Sequence, residues 1–240
     1  MSALILTPGE WAIVGLSLQV SGCAMLAALP VAFALAWLLA RVEFPGKVLV
    51  DALVHLPLVL PPVVVGWVLL MAFAPTGPLG ALLERMLGIT LLFRWTGAAL
   101  AAAVMALPLM VRSIRLSIEA IDPRLEQAAR TLGAGWLNSF ATITLPLARP
   151  GVLAALVLGF ARSLGEFGAT ITFVSNIPGQ TATLPLAIYA ALQVPGQETA
   201  VWRLALVSVV LSLGALVMSE RLMAQARGAP RGAGGTAHDV

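Results

Sequence analysis

Residues 121–151 read IDPRLEQAARTLGAGWLNSFATITLPLARPG, and they stand between two long apolar runs. The segment is polar enough to leave a membrane. Asp122 before Pro123 is a helix start, with a side-chain acceptor at the N-cap and a proline at the first helical position. Leu125, Ala128, Ala129 and Leu132 then follow the i, i+3, i+4, i+7 spacing of one buried face. Gly133 is placed to end that helix. A second short helical piece is predicted around Trp136 to Thr142, closed by Pro146. The segment is thus a short helix lying across one end of a helical bundle. Its narrow, small-residue face either packs on its own bundle or receives a partner, and spacing alone leaves both open.

The rest of the chain says what that bundle is. Of 240 residues, 60% are hydrophobic and only 10% charged, with a mean hydropathy of +0.97. Soluble globular chains carry about 25% charged residues. The chain therefore reads as an all-α polytopic membrane bundle, with uncharged runs long enough for spans of about 20 residues. Five spans are predicted, at 11–39, 52–73, 95–118, 150–174 and 200–220. Residues 1–10 form an outer segment, and 222–240 a disordered inner tail rich in Gly, Ala and polar residues. The start, MSALILTPGEW, lacks the basic region of a signal peptide, so the first run is expected to remain as a span. Residues 79–93, LGALLERMLGITLLF, read as an interfacial helix because Glu84 and Arg85 interrupt them. Arg203 lies near one end of the fifth span, where a long side chain can snorkel.

Orientation follows from the basic residues. With the N-terminus outside, the inner segments hold Arg41, Lys47, Arg112, Arg115, Arg124, Arg130, Arg149, Arg221, Arg227 and Arg231. The outer segments hold only Arg85, Arg94 and Arg203. The 174–199 connection has no Lys or Arg and belongs outside; the 122–146 loop belongs inside.

Several functions are excluded or disfavoured. The net charge is only +3 and the arginines are scattered, so nucleic-acid binding has no support. Cys23 is the single cysteine and reads as a packing residue. His55 and His238 are far apart, and no Cys/His/acid cluster, hydrolytic triad or cofactor motif stands out. Gly46-Lys47 is followed by Val48 and lacks a Gly-rich lead, so it is no phosphate-binding loop. His55 reads as an interfacial or structural histidine.

One stretch resists the apolar pattern: RSLGEFGAT, residues 162–170, places Arg162 and Glu166 inside the fourth span. Four residues apart, they share one helix face and can pair. Pairing lowers a cost of about 2.5–3.5 kcal/mol for a lone charge at a helix centre. The pair either fixes the packing of the span or lines a pathway or gate.

The loop quoted first resembles the EAA loop of type I ABC-importer permeases. That pattern runs Glu-Ala-Ala, three residues, Gly, nine residues, Ile, one residue, Leu-Pro. Here it falls on Gln127, Ala128, Ala129, Gly133, Ile143, Leu145 and Pro146. The motif's Glu is Gln127 in this chain, with Glu126 directly before it, so either side chain can make the polar contact the family assigns there. LPLVLPPVVVGW at 56–67, with Pro57, Pro61 and Pro62, is similar to permeases for molybdate, tungstate and sulfate. ARSLGEFGATITFVSNIPGQTATLPLAIY at 161–189 resembles the molybdate permease subgroup. The resemblance implies a type I importer fold in the inner membrane and a homodimer with the route at its interface. It implies two ABC ATPase subunits on the coupling loop, which hydrolyse the ATP, and an oxyanion-binding protein on the outer face, near Asn176, Pro178 and Gly179. The implied cargo is molybdate, with tungstate or a sulfate or thiosulfate route as near relatives. A reading from another class is an ion-coupled secondary transporter using Arg162 and Glu166.

Overall fold

The computed structural model describes residues 6–228, and the regular structure among them is helical throughout. The first helix, α1 (Pro8–Arg41), opens on a capping box: Thr7 Oγ1 accepts from the Glu10 N–H and the Glu10 carboxylate accepts from the Thr7 N–H. The helix therefore begins at Pro8, inside the segment read as 1–10; residues 1–5 lie outside the described residues.

The second predicted span, 52–73, is two helices, α2 (Lys47–Val59) and α3 (Pro62–Phe73), bent by 114°. Leu60 and Pro61 are extended at the break. Two adjacent prolines cause this: each lacks an N–H, and the residue before a proline is pushed out of the helical region. A short amphipathic helix, α4 (Pro78–Leu87), follows, and then α5 (Trp95–Glu119). The loop beyond α5 forms α6 (Pro123–Thr131), α7 (Trp136–Ser139) and a π-helical turn, Phe140–Thr144.

The π turn leads without a break into α8 (Leu145–Leu164), and α9 (Gly168–Val174) follows after Gly165–Phe167. The fourth span, read as one helix over 150–174, thus starts earlier and is interrupted near its far end. The 174–199 connection contains α10 (Leu184–Leu192). The last helix, α11 (Glu198–Gly228), continues through 222–228, which the sequence reading gave to a disordered tail. That stretch, LMAQARG, is made mostly of good helix formers; residues 229–240 lie outside the described residues. Four helices are long and apolar enough to cross a membrane, and the bent α2–α3 pair brings the number to as many as five.

α5 is the axis of the bundle. α1 and α8 pack along it, with α2 and α9 beside them. Ala98, Ala101, Ala102 and Ala106 of α5, and Ala24, Ala28, Ala32 and Ala36 of α1, are buried. In lipid, helix association rests on close packing, which small residues permit. Two polar ties cross these helices: Ser163 Oγ donates to Ser21 Oγ at 3.0 Å, and Ser113 Oγ donates to Gly151 O at 3.1 Å.

Two glycines of α8 test this packing. A Cβ on Gly151 would run into Ser117 and the Ser113 carbonyl of α5. A Cβ on Gly159 would meet only the flexible ends of Met25 and Met110. Gly151→Ala is expected to lower the thermal unfolding temperature of detergent-purified protein, in the range of about 1–3 kcal/mol typical of overpacking. Gly159→Ala should cost clearly less, because the methionines can move aside.

Candidate functional site

The α6 loop lies where the C-terminal ends of α1 and α5 meet. Asp122 caps α6 by accepting from the Arg124 N–H at 2.9 Å. Gly133 ends it with φ +89°, a left-handed conformation that suits glycine. The face predicted to be buried is not covered by this chain: Leu125, Ala128 and Leu132 are exposed, Leu132 to 89%, and only Ala129 is half-buried. Amphipathic spacing reports that a stripe is apolar; it does not report what covers it.

The other side of α6 is anchored. Thr144, 1% exposed in the π turn, donates to Glu126 Oε1 at 2.7 Å. Arg41, at the end of α1, has Nη2 3.5 Å from Glu126 Oε1 and donates to Ile121 O at 3.1 Å. Of the two candidates for a polar contact, Glu126 makes it, while Gln127 is exposed. Ile143 and Pro146 are half-buried, and Leu145 is exposed. Trp136 stacks on Phe140 and meets Trp37 of α1 edge-on, seating α7 and the π turn on the first helix.

The interruption at 165–167 carries the second candidate pair. Arg162 Nη1 lies 2.7 Å from Glu166 Oε2, while Glu166 Oε1 accepts from the Ala169 N–H at 2.9 Å. The two residues do not share one unbroken helix face, as the sequence reading supposed. Arg162 lies in the last turn of α8 and Glu166 in the break just before α9, so the pair ties the end of α8 to the break. The Glu166 side chain is 2% exposed and the Arg162 side chain 28%. Beside it, α9 lies tight on α3: a Cβ on Gly66 would collide with the Ala169 backbone, and one on Gly168 with Pro62. The breaks in the two spans are therefore neighbours.

The third candidate group is at the opposite end of α1, about 50 Å away for 34 helical residues. Asn176, Pro178 and Gly179 belong to an ordered turn. Buried Thr181 holds it, accepting from the Ile177 N–H and donating to Ser175 O, both at 2.8 Å. The Asn176 amide donates to Leu186 O at 3.4 Å. The three residues line a cleft of about 760 Å³ together with Glu10, Ile13 and Arg203.

Of the ion pairs beyond Arg162–Glu166 among the described residues, two more join distant parts of the chain besides Arg41–Glu126. The Arg203 guanidinium donates to the Glu10 carboxylate through Nε and Nη2 at 2.8–3.1 Å, and its side chain is only 16% exposed. The Thr7–Glu10 spacing of a capping box is a local signal for Glu10 at a helix start, but no local signal points to a partner 193 residues away. Asp51 pairs with Arg115 at 3.1 Å. His55 is a structural histidine of α2, with Nδ1 2.9 Å from Asp51 O. Among the described residues no cluster of His, Cys, Asp and Glu is arranged to hold a metal ion.

These features define a polytopic helical membrane protein with an anchored, outward-facing helix at one end and an ordered turn beside a cleft at the other. The chain belongs to the family of binding-protein-dependent transport system inner membrane components, whose family model matches residues 28–227. It is 57% identical over 219 residues to the molybdenum transport system permease protein ModB of Escherichia coli (strain K12), covering 91% of this chain and 96% of that one. It is 41% identical over 159 residues to the sulfate transport system permease protein CysT of Salmonella typhimurium (strain LT2), covering 66% of this chain and 57% of that one. Its fold matches a bacterial alginate ABC transporter, solved in complex with an alginate pentasaccharide-bound periplasmic protein. The TM-score is 0.70 at 23% identity, covering 92% of this chain and 82% of that one.

The break gives a sharp prediction. Arg162→Met strands a buried carboxylate and is expected to cost about 3–5 kcal/mol of stability. Arg162→Met with Glu166→Gln leaves no charge and keeps an oxygen for the Ala169 N–H. The double variant should recover most of the loss, read as the unfolding temperature of purified protein. Additive losses would show that the two side chains act separately.

Proposed function

We propose that this chain is the membrane permease subunit of an ATP-driven importer for molybdate, working as a homodimer with two ATPase subunits and an extracytoplasmic oxyanion-binding protein. The observation that carries the reading is the exposed stripe Leu125, Ala128 and Leu132 on a helix fixed from behind by Glu126. An apolar face held rigidly toward solvent fits a docking surface. The EAA-type spacing supports an ABC ATPase as its occupant. The basic residues favour placing this end in the cytoplasm and the Asn176–Gly179 turn on the outer face, where a binding protein would deliver cargo.

The work of the chain is gated passage, with ATP hydrolysed on the partner. Movement of α6 would pass through the Glu126–Thr144 bond to the π turn and to α8. Such rigid-body transfer at an interface is a recurring form of switching. Molybdate is a dianion, and a pathway for it needs weak, multiple polar contacts rather than a deep cationic cage. Arg162 and Glu166 suit a structural part in that pathway better than an ion-coupling site, since each already has its partner. The relative that is 57% identical favours molybdate over sulfate.

Uptake of labelled molybdate into cells, with sulfate as competitor, tests the cargo. Uptake abolished by excess sulfate would move the assignment to a sulfate route. Leu132→Arg tests the docking face: the residue touches little of its own chain, so the variant should insert and fold normally. Co-purification with the ATPase and molybdate uptake should both fall at least about tenfold, as for a lost interface anchor. Full uptake by Leu132→Arg would remove α6 from the docking surface.

A further inference from the structure

α2 is lightly held by the rest of this chain. Of its 13 residues only Val54 is buried, against α5. Its ends are both breaks in helical geometry: Gly46 at φ +88° before it, and the extended Leu60–Pro61 step after it. Val48, Leu49, Leu53 and Val59 face away from the bundle, toward lipid or a second copy. Among the described residues, one polar side-chain tie joins α2 to another helix, Asp51 Oδ1 to Arg115 Nη1 at 3.1 Å. Arg115 is shared, its Nε donating to Glu119 Oε1 at 2.7 Å. His55 Nδ1 lies 3.3 Å from the same Asp51 oxygen. These groups border a cavity of about 280 Å³ that also reaches Arg112 and Leu116.

The tie is partly open to solvent, with 27% of the Arg115 side chain and 40% of the Asp51 side chain exposed. Pairs in such settings are weak and screened by salt. Beyond Val54 and half-buried Val50 at the α5 seam, α2 relies on this wet ion pair beside a cavity, which is made and broken readily. α3, on the other side of the Leu60–Pro61 hinge, is locked to α9 through Gly66 and Gly168. The hinge therefore separates a firmly packed helix from a lightly held one.

We infer that α2 is a hinged leaf at the α6 end of the bundle, and that Asp51–Arg115 is the latch that holds it against α5. The leaf swings about Leu60–Pro61 and leaves the α3–α9 pair in place. Asp51 and Arg115 are positioning residues for this motion; the inference needs neither the cargo nor the ATPase.

Accessibility of Val54 reads the latch directly. In a Cys23→Ser background, Val54→Cys is placed in the full-length protein in nanodiscs, and its modification by uncharged N-ethylmaleimide is timed. Adding Arg115→Gln should speed modification roughly two- to fivefold, the range a partly exposed pair can contribute. Losing a nearby cation makes a thiol less ionised and slower to react, so faster labelling reports opening rather than altered chemistry. Asp51→Asn should give the same increase by the other route. The exchange Asp51→Arg with Arg115→Asp, made with Glu119→Gln so that no carboxylate faces the new acid, should return the rate toward its starting value, and 1 M salt should speed the unaltered pair. Unchanged labelling with Arg115→Gln and Asp51→Asn, or an exchange that fails to restore it, overturns the latch.

Discussion

The close approach of α1 and α8 to α5 is the constraint on which the rest of the protein depends. Bilayer lipid is as apolar as a leucine side chain, so burying leucines gives helices little reason to associate. Contact has to come from shape, and here it comes from alanine rows on α1 and α5 and glycines on α8. This seam fixes three helices as a rigid post. The elements with irregular geometry, α3, α6, α7 and α9, are hung on it. α6 and α7 are held by a small number of specific contacts, whereas α3 and α9 pack tightly on each other.

How far the sequence reveals this arrangement depends on the range of the interaction. Composition and charge-free runs give a helical membrane bundle, because no other open structure satisfies its backbone in lipid. Local signals are also readable: Asp122-Pro123 starts α6 and Gly133 ends it, as their backbone chemistry requires. Adjacent prolines such as Pro61 and Pro62 are a local signal for a bend, but a hydropathy run has no direction, so it does not show the 114° turn. Arg162 and Glu166 were legible as a pair because they are near in sequence. That the pair reaches into a break was hidden, because Gly165 keeps its chain close enough to helical for an i, i+4 contact to survive. Glu10 with Arg203 and Asp51 with Arg115 depend on tertiary neighbours and leave no trace in spacing.

The apolar stripe of α6 shows where pattern and structure part most usefully. Period 3.6 in a short helix signals that one face prefers to leave water. Within a monomer that face would turn inward. It does not, because Glu126 on the opposite side is claimed by Thr144 and Arg41, which sets the rotation of the helix about its axis. A side chain outside the six matched positions of the loop thus decides which face is offered. The Gln at the usual Glu position follows from the same fact: with the acid one residue earlier, Gln127 makes no such tie and stays exposed.

The Leu145-Pro146 pair acquires a physical reason as well. In a regular α-helix residue 146 would donate to the carbonyl of Thr142, and proline cannot; its ring would also press on that carbonyl. Widening the preceding turn relieves both demands, and Leu145 donates instead to Phe140, five residues back. The π turn is therefore a consequence of the proline. It turns Thr144 inward to reach Glu126, and π turns inside helices are common at functional positions. One missing N–H thus brings the anchored α6 to the start of α8 through a hydrogen bond of 2.7 Å from Thr144 to Glu126.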